Sequence, residues 1–282
     1  MANPADLSYA AQQVRLYDRH RFVAALFAPG DRREALFTLY GFNLEIAKIR
    51  DMVNEPIMGQ IRLQWWRDAV LAMDLGRPCP EHPIAEPLAT TIGRYRLPTA
   101  LLLDMIDARE QDLAPQPPED MAALERYGES TAGNLLQLVL HVLGAGSASA
   151  LNAGLHVGAA QALSGLMRTL PLQAVRTRVF LPEDAMKAAH LVPEDVAAGR
   201  HRDLLAQVVR DVCTRAAARL RMAEEVRSAV SRKAVPGLLA AVDARRWLAR
   251  LERASFDPFA LSGVPDRPPL IRLVIAATTG RW

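Results

Sequence analysis

The stretch that most limits what this chain can fold into is residues 31–53, DRREALFTLYGFNLEIAKIRDMV. Leu36, Leu39, Tyr40, Leu44, Ala47 and Met52 recur at helical spacing and fall near one face. Gly41 is the only glycine inside it, and no proline interrupts it. Asp31, with Glu34 three residues on, reads as an N-cap of the capping-box type. The rest of the chain carries the same period. No segment alternates apolar and polar residues as a half-buried strand does, no hairpin dipeptide stands out, and no internal repeat is visible, so the chain reads as all-α.

In order, residues 5–27 predict a helix with Val14, Tyr17, Phe22 and Leu26 available for burial, ended by Ala28-Pro29-Gly30. After the break at Asn54-Glu55-Pro56, IMGQIRLQWWRDAVLAM predicts another helix. Its adjacent Trp65 and Trp66 point about 100° apart, so one enters the core and the other packs at a helix seam. Arg67 and Asp68 read as structural ion-pair members, and His82, in the proline-rich loop 76–83, as a packing residue. Helices are expected at 84–95 and 98–112, the second presenting Leu102, Ile106 and Leu113 along one face. Residues 119–143 read as one helix; Gly133 inside it costs about 1 kcal/mol against alanine, which points to close packing. The helix at 150–170 contains Gly154, Gly158 and Gly165, and with His156, Gln161 and Arg168 in it tight packing in a bundle is expected rather than a membrane dimer. A short helix falls within 183–199. Residues 201–232 form a long helix, Arg-rich outside and apolar inside at Leu205, Val208, Val212, Ala216, Leu220 and Val226, and 236–256 a further one. The tail, LIRLVIAATTGRW, reads as a helix laid on the bundle or on a partner.

Composition narrows the function classes. No apolar run reaches the about 18 residues of a membrane span, and the start has no signal-peptide core. Cys79 and Cys213 are isolated, without metal-ligand spacing or a disulfide framework. A cytoplasmic location is expected. The net charge of +3 hides an asymmetry: residues 1–142 carry 14 basic and 19 acidic side chains, residues 143–282 carry 20 and 12. The basic half is either a set of solvated arginine-rich faces or a surface for an acidic partner or for peripheral contact with an anionic inner membrane. No basic-aromatic motif points to nucleic acid.

Several blocks resemble the squalene/phytoene synthase family, in order and spacing, from about residue 10 to residue 260. Tyr40 and Phe42 match the lead-in to its first Asp-x-x-x-Asp motif, whose positions fall on Ala47 and Asp51, with Lys48 beside them. Arg62 through Trp66-Arg67, His82-Pro83, Asp112-Leu113, Tyr127 with Ala132-Gly133, and Ser255-Phe256-Asp257-Pro258-Phe259 match later blocks. Arg168, Arg178 and Phe180-Leu181-Pro182 frame the second motif, whose aspartates fall on Thr169 and Gln173. The resemblance implies a single domain over 1–282, an all-α isoprenoid-synthase-type bundle with a central cavity.

It also implies what is missing. In the family, carboxylates at i and i+4 share one helix face and hold Mg²⁺, which holds a substrate diphosphate. Ala47, Thr169 and Gln173 supply no carboxylate, which leaves Asp51. No catalytic residue, metal or other cofactor is therefore expected. The blocks at 39–70, FLPED and FDPF look most like the family branch that serves assembly of mitochondrial respiratory complex I and also lacks the paired aspartates. The function expected is a non-catalytic binding or assembly factor, partnered with a subunit of NADH dehydrogenase. A divergent head-to-head prenyl transferase using Mg²⁺ and an isoprenoid- or lipid-binding protein are the alternatives. Cavity candidates are Tyr40, Lys48, Asp51, Tyr127, Gly133, Gln161, Arg168 and Gln173. An unpaired buried charge is costly, so Lys48 or Arg168 should lie within salt-bridge reach of a carboxylate such as Asp51 or Asp112.

Overall fold

An aspartate, not an apolar residue, decides how the chain begins. In the computed structural model, which describes residues 7–114, 116–176 and 179–282, helix α1 (Tyr9–Tyr17) stops at Asp18. Asp18 has φ −141° and ψ 69°, and its Oδ1 accepts from the Arg21 N–H at 3.1 Å, so it caps a second helix, α2 (Arg19–Ala25). The single helix expected at 5–27 is thus two, and Tyr17 and Leu26 are exposed rather than core. The long helix α3 (Gly30–Met52) follows. Pro29 precedes it without a side-chain cap; Asp31 sits in the first turn and pairs with Arg32 at 3.2 Å, so the expected capping box does not form. Leu36, Leu39, Tyr40, Phe42 and Ile46 are buried along α3, while Met52 at its end is 58% exposed.

Helix α4 (Pro56–Asp74) starts with proline at its first position, where the missing N–H is no loss. Trp66 is buried and Trp65 is about one-third exposed; both rings stand 5.1–5.4 Å from the His82 ring, which confirms His82 as a packing residue. Arg67 pairs with Glu110 at 2.8 Å and with Asp107, tying α4 to the end of α6 (Thr99–Glu110). Helices α5 (Ala85–Tyr95) and α6 (Thr99–Glu110) lie where the period placed them, with a tight turn at Gln111–Leu113 ending the second. The helix expected over 119–143 is interrupted. Between α7 (Met121–Gly128) and α8 (Asn134–Val142), residues Glu129–Gly133 form a π-helical turn.

That turn exists against α9 (Ala148–Val175), around which the bundle is built. This helix continues past residue 170 through Pro171. Over its first half its buried side is small: Ala150, Ala153, Gly154, Val157, Gly158 and Ala160. At Gly158 a Cβ would lie 2.3 Å from the Ala132 carbonyl oxygen, so two backbones meet there without side chains between them. Helices α7, α8, α12 (Arg202–Glu225) and α14 (Ala240–Arg253) all pack on α9. Short helices α10 (Glu183–Ala188), α11 (Pro193–Ala197) and α13 (Val235–Leu238) fill the connections, and α15 (Leu270–Thr279) closes the chain. The long helices expected at 201–232 and 236–256 are therefore shorter, split where Val226 and Leu239 turn the chain. Most of the buried apolar residues form one continuous cluster, in which each fully buried leucine contributes on the order of 1.5–3 kcal/mol. No strand occurs among the described residues.

Candidate functional site

Between α3 and α9 lies a cavity of about 700 Å³. Ala47 and Asp51 on α3, and Thr169 and Gln173 on α9, all line it. The four positions picked out by motif spacing are thus brought to one place, and at each the chemistry is now visible. Asp51 is ion-paired with Arg176, both side chains being more than half exposed. Gln173 donates through Nε2 to Thr169 Oγ1 at 2.8 Å, and the Thr169 hydroxyl lies 3.0 Å from the Gly165 carbonyl, to which it donates. Ala47 contributes a methyl group. A second hollow of about 450 Å³ shares Ala47, Asp51, Gln173 and Arg176, so the Asp51–Arg176 pair borders both.

Tyr127, Gln161 and Arg168 also line the cavity. Tyr127 is buried; its hydroxyl donates to Asp112 Oδ1 at 2.7 Å and accepts from Arg109 Nη1 at 2.6 Å. Burial raises the Tyr127 pKa, the Arg109 charge opposes that, and the net shift is upward, so the phenol stays neutral. The Gln161 side-chain carbonyl accepts from Arg21 Nη2 at 3.0 Å. Tyr40 is buried beside a void of about 20 Å³ that shares His20, Arg21, Gln161 and Asp243 with the main cavity.

Tyr40 thus borders the small void and not the main cavity, and two further expected site residues lie elsewhere. Lys48 does not line the cavity; its ammonium sits 3.4 Å from the centroid of the exposed Tyr17 ring, a cation–π contact. Gly133 does not line this cavity; a Cβ there would meet Leu155 Cδ1 at 2.9 Å, so it serves helix approach. The expected salt bridge forms at Arg168, with Asp266 at 2.7 Å as its carboxylate. Asp51 takes Arg176 rather than Lys48, and Asp112 takes Arg109 at 3.2 Å. Arg178 lies outside the described residues.

The cluster that sequence reasoning missed joins α2, α9, α14 and the segment before α15. His20 Nδ1 lies 3.0 Å from Asp243 Oδ1 and its Nε2 lies 3.3 Å from Asp266 Oδ1. Burial alone would lower the His20 pKa; the bonds and charges of the two aspartates outweigh it and raise the value to about 9. Burial would likewise raise Asp266, but His20, Arg168 and Arg246 hold it down to about 2. A signal was present: Asp243, Trp247 and Leu251 recur every four residues on α14, which places a carboxylate on an inward face.

The donor set does not fit the magnesium that the family motif implies. Mg²⁺ demands several oxygen ligands in near-octahedral geometry. One carboxylate stands at the four motif positions, and a guanidinium already holds it. His20, Asp243 and Asp266 are close enough to share an ion. Yet each imidazole nitrogen already lies within 3.3 Å of a carboxylate oxygen, and Arg168 and Arg246 stand against Asp266, so a cation there would compete with the imidazolium and meet two further positive charges. Arg21, Arg109, Arg168 and Arg176 on the cavity wall outnumber Asp18, Asp51 and Asp243.

A helical bundle with this cavity defines the isoprenoid-synthase fold. A crystal structure of a dehydrosqualene synthase in complex with ligand superposes with a TM-score of 0.83 at 17% identity, covering 96% of this chain and 95% of that one. Squalene/phytoene synthase matches over residues 14–273, and the chain belongs to that family. Among curated relatives, NADH dehydrogenase (ubiquinone) complex I, assembly factor 6 from Mus musculus is 31% identical over 256 residues, covering 91% of this chain and 77% of the relative. The Homo sapiens protein of the same name is 30% identical over 251 residues, covering 89% and 75%.

Proposed function

We propose that this chain is a non-catalytic member of the squalene/phytoene synthase family that acts as an assembly factor for respiratory complex I, binding a subunit of NADH dehydrogenase. The observation that carries the reading is the state of the four cavity positions. Ionising an allylic diphosphate demands strong neutralisation of the departing pyrophosphate. Here the wall that would carry bridging cations offers a methyl group, a hydroxyl bonded to an amide, and a carboxylate held by Arg176. The similarity to proteins named as complex I assembly factors over nine-tenths of the chain supports the same reading. Incubation with farnesyl or geranylgeranyl diphosphate and Mg²⁺ tests the non-catalytic half, with no squalene or phytoene expected; affinity capture of the tagged chain, followed by identification of NADH dehydrogenase subunits, tests the other.

A second reading draws on the cavity itself. A hollow of about 700 Å³ with four arginines on its wall suits an anionic amphiphile held by guanidinium groups directly. Mass spectrometry of the protein under native conditions, with an acidic lipid or isoprenoid released on denaturation, would support that carrier role over subunit binding alone.

A further inference from the structure

The last helix shows the wrong side of itself to water. On α15, Ile271 is 78% exposed, Leu270 58%, Ile275 56% and Val274 49%. These four lie within one helix face, because positions i, i+1, i+4 and i+5 do. The opposite side, Leu273 and Ala276, is buried against the bundle. The polar atoms bordering the exposed face are satisfied within the helix: the Thr278 hydroxyl donates to the Val274 carbonyl at 2.9 Å, and that of Thr279 to Ile275 at 2.7 Å. The apolar face is therefore not a fraying end that has lost its cover.

The helix is also fastened at both ends. Before it, Asp266 is held by His20, Arg168 and Arg246. After it, Gly280 turns the chain with φ 73°, Arg232 Nη2 donates to the Thr278 carbonyl at 2.5 Å, and Trp282 is buried with the Arg227 guanidinium 5.4 Å from its ring. The face is thus presented in one fixed orientation, and ordering it on contact costs little.

Charge selects the partner. From residue 267 to the end the chain carries Arg267, Arg272 and Arg281 and no acidic residue. All three are exposed, as are Arg232 and Lys233 beside the helix end. A second exposed apolar stripe, Ile57, Ile61 and Trp65 on α4, has Gln64 and Asp68 set into it, bonded to each other at 2.7 Å, and Glu55 at its start. No helix among the described residues is long and apolar enough to cross a bilayer, so lipid contact has to be interfacial. An aliphatic face flanked by arginines and free of acids is the pattern that lies in a headgroup layer.

We propose that the outer face of α15 is the surface by which this protein rests on an anionic lipid bilayer, with Leu270, Ile271, Val274 and Ile275 entering the acyl boundary and Arg272 and Arg281 meeting acidic headgroups. The face points away from the cavity, so the contact holds whether or not the chain assists assembly. Flotation of the full-length protein with phosphatidylcholine vesicles, with and without phosphatidylglycerol, tests it. Binding should be about tenfold or more stronger to the anionic vesicles and fall with added salt. Ile271→Glu with Ile275→Glu should abolish it, and Arg272→Gln with Arg281→Gln should remove the preference for phosphatidylglycerol. Ile61→Glu on α4 should leave it unchanged. All these side chains are exposed, and circular dichroism verifies the fold of each variant. Failure of the wild-type chain to float, or undiminished binding by a folded Ile271→Glu/Ile275→Glu variant, would overturn the proposal. So would loss of a captured protein partner in that variant with vesicle binding intact.

Discussion

The side-chain amide of Gln173 donates to the hydroxyl oxygen of Thr169 across 2.8 Å on the cavity wall. These are the two positions at which the second aspartate pair of the family motif falls, and here they satisfy each other. Asp51, the remaining acid of the first motif, is paired with Arg176. Of the four motif positions lining the cavity, two bond each other, one is ion-paired, and Ala47 offers only a methyl group. Scaffold and reaction are separable because the bundle is held by apolar packing around α9, to which the motif carboxylates contribute nothing.

Gly158 and Gly165 lie on the same helix and should respond oppositely to alanine. At Gly158 a Cβ would meet the Ala132 carbonyl at 2.3 Å, and backbone cannot step aside as a side-chain tip can. Gly158→Ala should cost about 1–3 kcal/mol or more. Gly165 has nothing within 4 Å, so Gly165→Ala should raise stability by about 0.5–1 kcal/mol through helix propensity. Urea denaturation of the two variants measures both.

The Arg109–Asp112–Tyr127 triad should behave as one unit. Asp112→Ala leaves a buried guanidinium without its carboxylate at 3.2 Å and should destabilise the protein by about 3–5 kcal/mol. Tyr127→Phe removes one donor and one acceptor and should cost about 1–3 kcal/mol. The double variant should cost less than the sum, since both changes break the same network.

The His20 cluster sets a pH window. His20 is protonated up to about pH 9 in the folded protein, against an ordinary value of 6.5. Its contribution is complete below pH 6.5 and is lost as the pH rises through about 9. Asp266 is displaced the other way, from 3.8 to about 2, so its share is complete above pH 3.8 and is lost as the pH falls through about 2. Denaturation free energies measured from neutral pH to beyond that upper limit should decline, and His20→Gln should flatten the decline. An unchanged slope in the variant would assign the pH dependence to other groups.

Periodicity made the bundle legible. Of Leu205, Val208, Val212, Ala216, Leu220 and Val226, read as the inner face of one helix, the first five are buried and Val226, half-buried, follows the helix end. The boundaries were less legible where a polar residue took a capping role, as Asp18 does for α2. The resemblance to the family's two motifs placed Asp51, Thr169 and Gln173 on one cavity, and within each motif the helical period puts the two positions one turn apart. It could not assign their partners. Asp266 lies 98 residues from Arg168 and Arg176 lies 125 from Asp51, and one-dimensional spacing carries no information on such contacts. Lys48 was misplaced for the same reason. Its position one turn before Asp51 suggested a pair, but α1 brought the Tyr17 ring closer.

The central claim is that this scaffold serves complex I assembly without the family's chemistry, and one measurement addresses both halves. In the organism that makes this chain, the amount of assembled NADH dehydrogenase is compared by native gel electrophoresis among the wild type, a strain lacking the chain, and that strain carrying the Asp51→Ala variant. The account predicts loss of the assembled complex in the deletion strain and full recovery with Asp51→Ala, the variant without the last motif carboxylate. Undiminished complex in the deletion strain, or failure of a stable Asp51→Ala protein to restore it, would contradict the account.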